Sequence, residues 1–281
     1  MTYGEAYQYG VCQLQNYDIS EAELDARLLL EFVCNTNRHY LLVHGQDEIT
    51  SLQEETYLSI IEKRKERIPL QYITGVQEFM GLEFFVNENV LIPRQDTEVL
   101  VQEVMRELHD GMSILDMCTG SGCILLSLLN YSNQCKGKGV DYSKDALCVA
   151  MENAKKWNLE AEFIESNLFE NVTGKFDIIV SNPPYIRSEE IEQLMSEVKD
   201  HEPRMALDGT LDGLFFYREI VKESRKFLNR GGLLFFEIGC DQKQDVTQIF
   251  EQYGYCNICC VDDLAGLNRV MSATFLEEKN V

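Results

Sequence analysis

Ser113-Ile114-Leu115-Asp116-Met117-Cys118-Thr119-Gly120-Ser121-Gly122-Cys123 is the stretch whose reading decides the fold. Residues 113–116 read as a short strand and 123–129 as an apolar helix. Between them, Gly120 and Gly122 let the backbone turn tightly and approach a ligand closely. Strand, glycine turn and helix together open an α/β fold. The alternation continues, with further strands expected at 137–141, 161–164, 176–180 and 233–238 and helices between them, which marks a parallel sheet. Residues 255–261 and 269–275 read as an antiparallel pair closing it.

Towards the N-terminus the pattern is helical. Thr2, Ser20 and Ser51 each stand three residues before a glutamate, the spacing of a capping box. Tyr3, Ala6, Tyr7, Val11 and Leu14, then Leu24, Leu28, Leu29 and Phe32, recur at helical intervals. A helical bundle is expected over 1–70. Residues 71–74 and 82–86 alternate on either side of Gly75 and Gly81, which predicts a β-hairpin-like connector over 71–92. The sheet domain then occupies 93–281.

Composition narrows the class. The chain has 281 residues and is 45% hydrophobic, enough to build two cores. It contains no long uncharged apolar run, and the segment MTYGEAYQYG lacks the basic and apolar regions of a secretory signal, so a cytoplasmic protein without membrane association is expected. The ten cysteines read as reduced thiols. Cys256 and Cys259 form a C-x-x-C, but no second ligand pair stands at usable spacing and the four histidines are scattered, so no metal site is expected. Cys256, Ile258 and Cys260 read instead as one face of a strand. A net charge of −22 opposes binding to phosphate backbones. The densest basic cluster, Lys63-Arg64-Lys65-Glu66-Arg67, is interrupted by acid and reads as a solvated helix end.

Two stretches carry chemistry. Asp141 ends the second strand about 20 residues beyond the glycine turn, the spacing at which an acid holds ribose hydroxyls. The turn runs D-x-x-x-G-x-G without the third glycine of pyrophosphate binders, and Asp116 at its start suits a cationic ligand better than a pyrophosphate. S-adenosylmethionine therefore fits better than a dinucleotide. The second stretch, Asn182-Pro183-Pro184-Tyr185, follows the apolar strand 176–180. Its prolines remove two N–H donors and fix two φ angles. The amide oxygen of Asn182 and the carbonyl of Pro183 can accept the two N–H bonds of a planar amino group, and Tyr185 can lie against it. The same residues would also serve an ordinary strand-to-loop turn.

With these stretches stand Pro69-Leu-Gln-Tyr-Ile-Thr-Gly75, Ile92-Pro-Arg-Gln-Asp-Thr-Glu98, Glu202-Pro203, Ala206-Leu-Asp-Gly209, Glu237-Ile-Gly239 and Asp263-Leu-Ala-Gly266. In this order the chain resembles the release factor glutamine methyltransferases, the PrmC or HemK family. The resemblance implies a helical N-terminal domain followed by a Rossmann-like, seven-stranded, S-adenosylmethionine-dependent methyltransferase domain. It implies methyl transfer to the side-chain amide nitrogen of the glutamine in the Gly-Gly-Gln motif of peptide chain release factors. Asn182, Pro183, Pro184 and Tyr185 would be the catalytic and substrate-binding corner, with Asn182 also bordering the cofactor. Asp116, Cys118, Thr119, Gly120, Ser121, Gly122 and Asp141 would hold the methionine and ribose parts, and Asn167 and Leu168 would flank the adenine. Gln95 and Asn167 depart from the family, which commonly has a proline and an acid there. Arg94 and Glu98 either line the substrate entrance or form a helix N-terminal salt bridge. The bundle is expected to grip the protein substrate, and the chain to act as a monomer without direct nucleic-acid contact.

Two other readings stand beside this one. An adenine amino-methyltransferase would use the same corner on an exocyclic amine, but it would have to flip a base and hold phosphates, against the acidic charge. A non-catalytic binding module would keep the cofactor fold and transfer nothing.

Overall fold

A computed structural model describes residues 1–276. The described residues divide into two compact units, one of residues 1–76 with 195–201, the other of 77–194 with 202–276.

The first unit is a helical bundle of α1 (Tyr3–Gln15), α2 (Ala22–Cys34), α3 (Arg38–Val43), α4 (Ser51–Lys65) and α5 (Leu70–Thr74). Its core is built by Leu14, Leu29, Leu30, Tyr57 and Ile61. Thr2 and Glu5 form the expected capping box. The other two differ from expectation. Helix α2 begins behind Glu21 without a side-chain cap. Helix α4 is capped one residue early, by Thr50 with Gln53, directly after the buried Ile49. Residues 71–74, expected as a strand, form α5, which ends at Gly75 with φ 77°. The basic cluster is also not a solvated end. Arg64 is buried, donating to Asp25 Oδ2 at 2.7 Å and to Glu197 Oε1 at 3.0 Å. Arg67 donates to the same Glu197 oxygen and to the carbonyls of Tyr17 and Asp18. These arginines tie the segment 195–201 into the bundle, a use of charge that composition alone does not reveal.

The second unit opens with a hairpin of β1 (Val76–Phe79) and β2 (Leu82–Phe85). Phe79 and Phe84 enter this unit's own core beside Leu100, Val104 and Ile124, so the hairpin is part of the sheet domain and not a free connector. There follow α6 (Gln95–Glu107), β3 (Ser113–Met117), α7 (Cys123–Asn130), β4 (Lys136–Asp141), α8 (Lys144–Lys156), β5 (Ala161–Glu165) and β6 (Phe176–Ser181). The short helices α9 (Ser196–Lys199), which belongs to the first unit, and α10 (Arg204–Leu207) precede α11 (Phe215–Ser224), β7 (Leu228–Glu237), α12 (Lys243–Gln252), β8 (Tyr255–Asp262) and β9 (Asn268–Phe275).

Seven strands form one sheet in the order β5-β4-β3-β6-β7-β9-β8. Pairing is parallel from β5 to β7 and antiparallel for β9 with both neighbours, as the sequence predicts. The central strands are buried on both faces, which is why 176–180 reads as an apolar run interrupted only by the half-buried Asp177. In the edge strand β8, Cys256, Ile258 and Cys260 are half-buried while Asn257 and Cys259 are exposed, the expected alternation. Strand order reverses between β3 and β6, where the register pairs Met117 with Ser181. A crevice opens at the carboxyl ends of strands beside such a reversal, and the glycine turn and the Asn182 corner both start there.

Candidate active site

The turn after β3 is held by backbone conformation. Cys118, Gly120 and Gly122 have φ of 63°, 54° and 79°. Gly122 starts α7, and a Cβ there would come within 3.1 Å of Leu126 and 3.2 Å of Ala150. Asp116 lies beneath the turn, fully buried, where its Oδ2 accepts from Thr119 Oγ1 at 2.6 Å. Burial pushes its carboxyl up to about 7. Its Oδ1 and the Ser121 hydroxyl are buried without a protein partner. Asp141, at the end of β4, accepts from Gly120 N through Oδ2 and from Ser143 N through Oδ1, both at 2.9 Å. Burial raises its carboxyl pKa, against the pull of those N–H groups.

The corner after β6 is held by side chains. Asn182 Nδ2 donates to Thr97 Oγ1 at 3.2 Å, and Thr97 Oγ1 donates to Glu237 Oε2 at 2.5 Å. Tyr185 Oη donates to the other oxygen, Glu237 Oε1, at 3.1 Å. The buried Gln242 amide donates to the carbonyls of Tyr185 and Gly213 and accepts from Gly239 N and Tyr217 Oη. Gly213 is required because a Cβ there would lie 2.4 Å from the Tyr185 carbonyl.

One cavity of about 510 Å³ joins the two places. Of the expected residues, Cys118, Thr119, Gly120, Ser121, Asp141, Asn167, Leu168, Asn182, Pro184 and Arg94 line it. Asp116, Gly122, Pro183, Tyr185 and Glu98 are not among its walls. Asp116 and Gly122 shape the turn from behind, and Tyr185 turns its hydroxyl to Glu237. Glu98 accepts from Met80 N at 2.7 Å, fastening α6 to the hairpin turn. Arg94 forms its ion pair with buried Glu202, at 2.5 Å, which also accepts from Ile92 N. At the far end Asn167 Nδ2 donates to Glu170 Oε1 at 2.9 Å, leaving its carbonyl oxygen as the acceptor.

The sequence reading gives no role to Thr97, Glu237 or Gln242. The one available signal is Glu237 itself, an acid following the apolar run Leu233–Phe236. Thr97 and Gln242 carry no signal because they meet the corner only through folding.

A family model for the PrmC N-terminal domain matches residues 5–75, and one for the Methyltransferase small domain matches residues 94–211. The Release factor glutamine methyltransferase of Clostridium botulinum is 41% identical over 272 residues, covering 94% of this chain and 95% of its own. That of Clostridium acetobutylicum is 42% identical over 256 residues, covering 89% and 90%. A solved methyltransferase from Pyrococcus furiosus shares the fold, with a TM-score of 0.56 at 17% identity over 77% of this chain and 100% of that one. The chain belongs to the release factor glutamine methyltransferase family.

Proposed function

We propose that this protein methylates the side-chain amide nitrogen of the glutamine in the Gly-Gly-Gln motif of peptide chain release factors, using S-adenosylmethionine. The observation that carries the proposal is Asn182: it lines the same cavity as the glycine turn and Asp141, with its amino group engaged by Thr97 and its oxygen left to accept.

The donor set fits S-adenosylmethionine. Asp141 offers carboxylate lone pairs for a ribose diol, Asn167 a carbonyl for an exocyclic amine, and Leu168 an apolar face for adenine. The turn 118–122 leaves Ser121 Oγ for the amino-acid end. Bound there, the cofactor supplies a methyl group on a cationic sulfur that departs with the S–C electron pair.

An amide nitrogen is a weak nucleophile, so placement must provide most of the acceleration. Asn182 Oδ1, the corner acceptor that faces the cavity, accepts an N–H bond of the glutamine and aims its nitrogen. As that nitrogen gains positive charge, this bond strengthens, so it favours the transition state over the ground state. The nitrogen then loses a proton to solvent. The helical unit contributes grip on the protein substrate.

The test is transfer of labelled methyl from S-adenosylmethionine to a release factor, with and without its Gly-Gly-Gln glutamine replaced. Label on the parent substrate alone supports the proposal; label that survives the replacement rejects it.

A further inference from the structure

An asparagine can face a ligand with either end of its amide, and only one end suits a glutamine amino group. In this protein the choice is made two residues away. Glu237 closes β7, is 2% exposed, and receives separate hydroxyl donors on its two oxygens, Thr97 at 2.5 Å and Tyr185 at 3.1 Å. Burial raises the Glu237 carboxyl pKa, while the Thr97 and Tyr185 hydroxyls and the Arg269 charge favour its ionised form; as a carboxylate it only accepts, so Thr97 spends its single proton on Glu237. Thr97 Oγ1 is then left with lone pairs alone towards Asn182, and it takes the Nδ2 donor at 3.2 Å. Each assignment forces the next, and the last leaves Oδ1 as the end Asn182 presents.

We propose that Glu237 and Thr97 are positioning residues that fix the polarity of Asn182, so that the corner accepts from a carboxamide –NH2 and rejects a carboxylate. This rests on the function proposed above. A glutamine brings an N–H donor to the Asn182 Oδ1 acceptor. A glutamate brings oxygens against oxygens, and a site built to hydrogen-bond an N–H group rejects analogues lacking it strongly. Thr97 is almost fully buried at the start of α6, and both its hydrogen bonds run to residues more than 80 positions away, which is why the relay is invisible in the chain.

The experiment compares the parent enzyme with Thr97→Val, which keeps the shape and removes the hydroxyl, and Thr97→Ser, which restores it. Each is assayed on a release factor, and each ¹⁵N-labelled protein is examined by NMR for the Asn182 side-chain NH2. The expected result for Thr97→Val is a kcat fall of about 30-fold, with S-adenosylhomocysteine affinity within about threefold of the parent. Its Asn182 NH2 signals move and exchange faster. Thr97→Ser stays near the parent in both. A release factor carrying glutamate in the motif competes poorly with the parent substrate, and Thr97→Val narrows that preference. Unchanged NH2 signals in Thr97→Val, or a Thr97→Ser as impaired as Thr97→Val, overturn the relay. A parent enzyme that transfers no methyl counts against the proposed function instead, and the NMR comparison still decides the relay.

Discussion

The turn after β3 and the corner after β6 lie on neighbouring parallel strands and wall one cavity, yet they are stabilised by opposite means. The turn spends backbone conformation: three residues at positive φ, one of them a cysteine, with buried polar atoms of Asp116 and Ser121 left without protein partners. The corner spends side chains: stiff prolines, and an amide, a hydroxyl, a phenol and a carboxylate linked in series. Backbone groups read shape and tolerate many side chains. A side-chain relay fixes which atom donates, which backbone conformation alone does not.

Replacing the reading group gives the largest expected effect. Asn182→Ala should lower kcat about 100-fold or more, the cost of removing a transition-state hydrogen-bonding group, while S-adenosylhomocysteine affinity measured calorimetrically changes little. Near-normal turnover would erase the distinction between turn and corner. Gln242→Leu comes next. It leaves the carbonyls of Tyr185 and Gly213 and the Gly239 N–H short of partners, while the Tyr217 hydroxyl keeps the Glu237 carbonyl. The expected loss of stability in urea is about 3 kcal/mol, and a loss under about 0.5 kcal/mol would mean the corner stands without it.

On the turn side, Asp116 tests whether buried charge is a strain on the fold. Its folded pKa, about 7, lies above the ordinary 3.8. Below pH 4 it is protonated in both states and costs nothing. As pH rises from about 4 to 7 the unfolded chain gives up the proton first, so stability falls, and above 7 the full penalty remains. Asp116→Asn should therefore gain on the parent as pH climbs through that window, by about 2 kcal/mol after allowing for weaker acceptance from Thr119. A gap between the two that does not change with pH would refute the assignment. The smallest effect belongs to Cys118. At φ 63° a Cβ is strained, and Cys118→Gly should raise stability by about 0.5–1 kcal/mol, the gain in conformation being partly offset by a freer unfolded chain. Lower stability would show that the thiol contributes packing that outweighs the strain.

These experiments also separate what was readable from what was not. The glycine turn and Asp141 are legible because their elements are local: a strand, a turn and a helix within one βαβ unit. The Asn182 corner is legible because two prolines restrict the backbone wherever they occur. Residues 71–74 mislead, since their alternation is overruled by the Gly75 helix stop and by packing of Leu70 and Ile73 on the bundle. Glu98 and Tyr185 have suitable chemistry for a site wall, but their hydrogen bonds to Met80 and Glu237 turn them elsewhere.

The sequence alone determined the order of elements, the parallel sheet with its antiparallel edge, the two loops that wall the cavity and the family. Those depend on periodicity, glycine and proline, whose effects act within a few residues. Folding alone decided which end of Asn182 faces the cavity, and the burial of Arg64 against Asp25 and Glu197. Hydrogen-bond direction is set by the partner, and here the partners lie from 39 to 140 residues apart in the chain.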